Sequence, residues 1–162
     1  MDRWPLQSQC DSFYGNPRAG AVWQSANLVH VTCPWKMHIE HTPVAAITIH
    51  RKCAESLAGV LDAIWTAVGK AQTEIVRLRY DLFDGSFNYR PMRGSQRLSM
   101  HAYGCAIDWD AEDNAFHSTR HLFRGDSLLV VKFREAGWVW GGEWSPPDAM
   151  HVQAARVRGE PL

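Results

Sequence analysis

The longest regular pattern in the sequence is an amphipathic stretch near its middle. Apolar residues recur there at the three- and four-residue spacing of one helix face: Leu57, Val60, Leu61, Ile64, Trp65 and Val68. This spacing predicts a helix over residues 52–70 with a single buried face. The β-branched run of residues 44–50 directly before it predicts a strand. Because a helix with one apolar face must be covered by another layer, the two elements together favour an α+β fold.

The other predicted elements are short and are separated by glycine and proline turns. A helix at residues 128–136 ends at Gly137, and strands are predicted at residues 75–80, 105–110, 138–140 and 148–153. The absence of an internal repeat indicates one domain. The first 43 residues have frequent proline and glycine and no lasting period. We therefore interpret residues 1–43 as an irregular N-terminal arm packed on a domain of residues 44–162.

The charge and hydrophobicity of the chain give no sign of nucleic acid or a membrane as a partner. The chain has 162 residues, enough for one compact domain, and its 17 Lys and Arg balance its 17 Asp and Glu. No excess of positive charge therefore points to nucleic acid. No apolar stretch approaches a membrane span, and the N-terminus lacks the apolar segment of a signal peptide. We therefore expect a cytosolic protein without stable membrane association. We also expect it to be a monomer. The four cysteines have no CxxC spacing and are expected to be reduced thiols.

Three side chains form a candidate metal site: His101, Asp108 and His151. Two imidazoles and one carboxylate leave a fourth zinc position for water, whereas structural zinc sites usually have four ligands and contain cysteine. Asp148, three residues before His151, is a carboxylate suited to take a proton from that water. Taken singly, His101 is more often a core or surface histidine and Asp108 an ordinary carboxylate at a strand end. Their combination favours a catalytic metal centre.

The spacing of these residues resembles a known family. Residues 99–108 fit the pattern S-x-H-x-x-G-x-A-x-D at every fixed position, and Asp148-x-x-His151 supplies the expected D/E-x-x-H. Both motifs resemble those of the LAS zinc peptidases, which include VanY-like D-Ala-D-Ala carboxypeptidases, D-Ala-D-Ala dipeptidases and the L-alanyl-D-glutamate endopeptidases of phage endolysins. The resemblance covers about residues 44–153. It implies an α+β domain of the hedgehog/D-Ala-D-Ala peptidase type, with a central antiparallel sheet flanked by helices.

The resemblance also implies roles for individual residues. The two histidines and Asp108 would bind Zn²⁺, and Asp148 would be the general base. Arg90, in the Tyr-Arg-Pro part of the segment before the zinc motif, would stabilise the oxyanion or hold the substrate carbonyl, and Ser99 would contact the substrate peptide. Arg93 has only its proximity to recommend it. These assignments make residues 44–162 the catalytic domain.

Two positions depart from the pattern of the carboxypeptidase branch. That branch commonly has Glu as the base, and the shorter Asp148 resembles the endopeptidase branch. Position 153, often Glu in the family, is Gln153 here. If this residue orients a ligand histidine through a hydrogen bond, a neutral amide does so more weakly than a carboxylate.

These observations predict a zinc-dependent peptidoglycan peptidase. Our first hypothesis is a phage endolysin that hydrolyses a stem-peptide bond next to a D-amino acid, with the L-alanyl-D-glutamate bond as first choice. Such a protein would stay in the cytoplasm of an infected host until its release to the cell wall. The alternatives are a D,D-carboxypeptidase or dipeptidase that releases terminal D-Ala, and an inactive zinc-holding module that binds the wall. Two further histidine pairs, His38/His41 and His117/His121, are interpreted as surface groups, although the second pair could line the cleft.

Overall fold

The secondary structure of residues 3–157 is described by a computed structural model. The first two residues of the predicted arm, and residues 158–162 of the predicted domain, lie outside the described residues. The described part contains five α-helices: α1 (Cys10–Tyr14), α2 (Ala21–Asn27), α3 (Arg51–Ala67), α4 (Gln72–Arg77) and α5 (Leu128–Glu135). It also contains six strands: β1 (Leu28–Ile39), β2 (Thr42–His50), β3 (Phe83–Gly85), β4 (Ala106–Trp109), β5 (Val139–Trp140) and β6 (His151–Gln153).

A four-stranded antiparallel sheet lies at the centre of the fold. Its strand order is β3-β4-β6-β5, so the two strands that carry candidate ligands are neighbours in its middle. The register sets Asp108 on β4 opposite His151 on β6. Together with the helices, this sheet confirms the predicted α+β class with an antiparallel sheet.

The β1–β2 hairpin and α3 supply much of the remaining core. The two strands pair antiparallel with an irregularity between Thr32 and Met37. The His50 side chain begins α3 by accepting a hydrogen bond from the Lys52 backbone N–H (3.1 Å), which satisfies one of the free amides of the first turn. The face of α3 predicted from its apolar spacing is buried, as the full burial of Leu57 and Ile64 shows. The predicted helix is confirmed, and it ends at Ala67 rather than at residue 70.

Two sequence predictions are wrong. Residues 1–43 are not irregular where they are described, because they contain α1, α2 and the twelve-residue β1. The boundary proposed at residue 43 falls near the turn of the β1–β2 hairpin. Residues 75–80 do not form a strand, since α4 covers the first three of them and a turn covers the other three. There, Ile75 is buried while Val76 is 52% exposed, so the apolar pair that suggested a strand contributes only one side chain to the core.

The cysteines agree with the expectation of reduced thiols. All four cysteines are buried and free. Most tryptophans lie in the core, and Trp35 and Trp109 pack against each other with ring centroids 6.3 Å apart. Within residues 3–157, no helix has both the length and the apolar character needed to cross a membrane.

Candidate metal centre and cleft

Each candidate ligand is held by a different element of the fold. His101 lies in the 3₁₀ turn Met100–Tyr103, which Ser99 begins by accepting a hydrogen bond from the His101 N–H (3.3 Å). Asp108 and His151 face each other across β4 and β6. The turn delivers the first histidine directly before the strand that carries the carboxylate, which explains the seven-residue spacing.

Gly104 joins that turn to β4. Its φ of +64° is costly for residues with a side chain, and a Cβ there would lie 2.7 Å from Leu28 Cδ2 and 3.1 Å from the His50 backbone nitrogen. The Gly104 carbonyl also accepts a hydrogen bond from the His50 N–H (2.7 Å). The glycine of the sequence motif is therefore required by backbone conformation and by the close approach of the β2–α3 junction.

The three candidate ligands converge on one point. Their ligand atoms all lie within 4.8 Å of one another. Nε2 of His101 lies 3.2 Å from one Asp108 carboxylate oxygen, and Nδ1 of His151 lies 3.0 Å from the other. Both imidazoles are more than nine-tenths buried, and their ring centroids are 5.0 Å apart.

The outer nitrogens of the two imidazoles have their own partners. The Nδ1–H of His101 donates to the Ser86 carbonyl (2.7 Å), and the Nε2–H of His151 donates to Oε1 of Gln153 (2.9 Å). The amide orientation of Gln153 follows from its other end, where its NH₂ donates to the Ala155 carbonyl (2.7 Å). With a proton on each outer nitrogen, a neutral imidazole turns a lone pair towards Asp108.

This arrangement fits a metal ion. Two imidazole lone pairs facing two carboxylate oxygens at 3.0–3.2 Å are acceptors that face acceptors, so a cation must lie between them. The cation is either a proton on each ring or a metal ion. Two histidines and one aspartate, each histidine hydrogen-bonded through its outer nitrogen, are a donor set that zinc accepts.

The electrostatics of the centre favour a charged carboxylate. Burial by itself raises the pKa of Asp108, but hydrogen bonds from His101 and His151 outweigh burial and bring it below its ordinary value. Burial likewise opposes a charge on His151, but the hydrogen bond to Asp108 and the negative charges of Asp108 and Asp148 together outweigh burial and raise the pKa of that imidazole. The metal-free centre therefore attracts cations.

Asp148 lies beside the ligands without pairing to them. Its backbone N–H donates to the Gly141 carbonyl (2.8 Å), which fixes the loop before β6. Its carboxylate atom Oδ1 is buried and has no hydrogen-bond partner among the described residues. Burial raises the pKa of Asp148, while the positive charge of His151 acts in the opposite direction. A partly desolvated carboxylate beside a metal centre is suited to accept a proton.

A cavity of about 270 Å³ opens over the centre, and both candidate ligand histidines and Asp148 line it. The predicted substrate residues Arg90 and Ser99 also line this cavity. Ser99 is largely occupied as the cap of the turn before His101. Arg90 is half-buried, and its guanidinium donates a hydrogen bond to the Pro91 carbonyl (3.4 Å). Arg93 reaches the same cavity from an exposed position, with its guanidinium 4.6 Å from the centre of the Phe116 ring.

Sequence reasoning missed three contributors. Ser86 acts through its backbone carbonyl, which no side-chain motif reveals. Phe116 lies in the long loop after β4 and forms part of the cavity wall. Gln7 lines the cavity from the N-terminal arm, more than 80 residues before the motif. For these residues the sequence carries no local signal, because only the fold brings them to the centre.

The two histidine pairs set aside in the sequence do not join the metal centre. His38 lies on β1, and its Nδ1 is 3.8 Å from Oδ2 of Asp81. His121 bonds the Phe123 carbonyl through Nδ1 (2.6 Å), and the His117 N–H donates to the Pro147 carbonyl (2.8 Å). The second contact ties the loop after β4 to the segment that carries Asp148.

Fold and site together define a class of protein: a small α+β domain that gathers two histidines and an aspartate in a cleft is typical of a metal-dependent hydrolase. Residues 93–154 match the family model described as D-alanyl-D-alanine carboxypeptidase, and this segment contains the three candidate ligands and Asp148. The match confirms the resemblance to LAS-type zinc peptidases. The matched segment is less than half of the chain, and it supports a metallopeptidase that acts on peptidoglycan or D-Ala peptides. The searches of curated proteins and of solved structures gave no match.

Proposed function

We propose that this protein is a zinc-dependent peptidase that hydrolyses a peptidoglycan stem-peptide bond next to a D-amino acid, with the L-alanyl-D-glutamate bond as first candidate. The observation that carries the proposal is the convergence of His101, Asp108 and His151 in a cleft that Asp148 also lines. In this proposal the first three residues bind zinc.

Each side chain then has a definable task. When bound, zinc acts as a Lewis acid that activates a water molecule and polarises the scissile carbonyl. Asp148 takes the proton of the attacking water and later delivers it to the leaving amine. Arg90 donates hydrogen bonds to the oxygen that becomes negative during attack, a task for which a permanently charged guanidinium needs no proton exchange.

The chemistry of the substrate suits this cleft. In the D-Ala-D-Ala terminus, and in a D-glutamate joined through its side chain, the residue on the amine side of the scissile bond has a free α-carboxylate. Arg90 and Arg93 line the cavity, and neither pairs with an acidic residue within the part of the chain that the structure describes. An unpaired guanidinium is a good partner for such a carboxylate.

Two bonds remain as candidates. The shorter base Asp148 favours the endopeptidase, by its resemblance to the endopeptidase branch. The family description, D-alanyl-D-alanine carboxypeptidase, favours release of terminal D-Ala and keeps that activity as the second candidate. Mass spectrometry of products separates them. The zinc-loaded protein is incubated with purified peptidoglycan and with a synthetic stem pentapeptide, and Asp148→Asn serves as the matched control.

Free D-Ala as the main product would replace the endopeptidase proposal with the carboxypeptidase. New N-terminal D-glutamate would support the endopeptidase. No hydrolysis by wild-type protein that holds zinc would reduce the chain to the third hypothesis, an inactive module that binds the wall.

The proposed biological role is lysis of the host cell wall by a phage endolysin that stays in the cytoplasm until release. Loss of turbidity of outer-membrane-permeabilised cells, abolished by a chelator and by Asp148→Asn, supports this role. Cleavage of soluble peptides without any lysis contradicts it.

A further inference from the structure

Residues 4–7, at the start of the N-terminal arm, are attached to the segment that follows β6, the strand that carries His151. The Gln7 N–H donates to the Arg156 carbonyl (2.9 Å), and the Arg156 N–H donates to the Pro5 carbonyl (2.8 Å). Leu6 and Arg156 form a parallel bridge. These bonds attach the start of the N-terminal arm to the segment that follows β6.

From this position the arm reaches the outer hydrogen bond of one candidate ligand. The side-chain amide of Gln7 donates to Oε1 of Gln153 (3.5 Å), the same oxygen that accepts from Nε2–H of His151 (2.9 Å). A carbonyl oxygen has two lone pairs and accepts both bonds. Gln7 and Gln153 both line the cavity, and Gln153 is only 1% exposed, so water has little access to this oxygen.

The orientation of Gln153 is therefore held at three points. Its NH₂ donates to the Ala155 carbonyl, and its oxygen accepts from His151 and from Gln7. A glutamate at this position would direct a carboxylate oxygen at the Ala155 carbonyl, at the distance where the amide now donates. The neutral amide of Gln153 can donate to the Ala155 carbonyl. Gln7, the second donor, fixes the Gln153 oxygen that accepts from His151.

We propose that Gln7 is a positioning residue for the metal centre: it acts on His151 through Gln153 and couples docking of the N-terminal arm to metal binding. This inference rests on the proposed zinc centre. Because coupling between two sites is reciprocal, an arm that strengthens zinc binding is itself held more tightly when zinc is bound.

The test measures zinc affinity by competition with a chromophoric chelator. Gln7→Ala weakens zinc binding by about 3- to 10-fold, the range that one hydrogen bond supports. Gln153→Leu weakens it by about 10- to 100-fold, as is typical for the outer partner of a ligand histidine. Ser8→Ala, an exposed neighbour outside the cavity, leaves the affinity unchanged.

A double-mutant cycle separates positioning from general destabilisation. If Gln7 acts through Gln153, Gln7→Ala has no further effect on zinc affinity in the Gln153→Leu background. Zinc also slows hydrogen exchange of the Gln7 amide and leaves the amides of α2 unchanged. Unaltered zinc affinity of Gln7→Ala, or the same loss in both backgrounds, overturns the inference while the zinc centre stands. Failure of the wild-type protein to bind zinc overturns the proposed function and this inference together.

Discussion

At the scale of single residues, the centre separates metal binding from proton transfer. The carboxylate of Asp108 is occupied by two imidazoles, whereas Oδ1 of Asp148 has no partner among the described residues. Two aspartates in one cleft therefore have different tasks because their surroundings differ. One is held ionised by hydrogen bonds, and the other is partly desolvated and free to accept a proton.

This separation predicts that Asp148→Asn keeps its zinc and its fold but loses at least about 10²-fold in kcat, because only proton transfer is removed. Metal analysis and steady-state kinetics on the same preparation check the prediction. If the variant loses its metal instead, Asp148 is a ligand and the base lies elsewhere.

The two cavity arginines are expected to differ in importance. Arg90→Ala lowers kcat by about 10²- to 10³-fold, the usual effect of removing one preformed oxyanion donor. Arg93→Ala lowers kcat much less, because Arg93 is exposed and its guanidinium packs on the Phe116 ring, whereas Arg90 is half-buried. Kinetics of both variants and of Arg90→Lys decide the ranking. A larger loss of kcat for Arg93→Ala than for Arg90→Ala would assign the oxyanion donor to Arg93 instead of Arg90.

At the scale of elements, the loop after β4 is held by an ion pair whose carboxylate is buried. Asp110 is fully buried, and its two carboxylate oxygens accept from Nε and Nη2 of Arg79, each at 2.9 Å. The Asn114 side-chain amide adds a bond to the same carboxylate (3.2 Å). This pair closes the base of the loop that brings Phe116 to the cavity.

Arg79→Ala should therefore destabilise the protein by about 3–5 kcal/mol, because it leaves a buried carboxylate without its partner. Arg77→Ala is the matched control, since Arg77 pairs with Glu74 on the exposed surface of α4 and should cost no more than about 1 kcal/mol. Urea unfolding of the two variants measures both free energies. Equal values would show that the pair at Asp110 contributes no more than a surface contact.

Helices and strands could be predicted from the sequence where the apolar spacing was long, as in α3, or where the residues belonged to a motif. The spacing in α3 located a helix, the motif of residues 99–108 located a strand and two candidate ligands, and the Asp148-x-x-His151 motif located the third. Residues 75–80 were misread because Ile75 and Val76 are β-branched, although only Ile75 meets the core. Strand β1 was missed because Pro34 interrupts it, and its pairing with β2 is a contact that local periodicity does not encode.

At the scale of the whole molecule, the metal centre joins parts of the chain that are distant in sequence. Its three candidate ligands come from the 3₁₀ turn, from β4 and from β6, and Gln7 brings in the N-terminal arm. The motif revealed the ligands, whereas the arm and the Ser86 carbonyl became visible only in the fold. An ion that binds only when these parts are assembled stabilises the folded state over the unfolded chain.

Zinc should therefore raise the unfolding temperature in proportion to its binding. At a free concentration 100 times Kd, a ligand that binds only the folded state adds about 2.7 kcal/mol. For a domain of this size, that free energy corresponds to an increase in Tm of about 5–10 °C. Differential scanning fluorimetry with and without zinc measures the shift. His101→Ala should abolish it, while His38→Ala, a histidine outside the metal centre, should keep it in full. A shift of equal size in both variants would mean that zinc stabilises the protein at another site, and His101 would leave the ligand set.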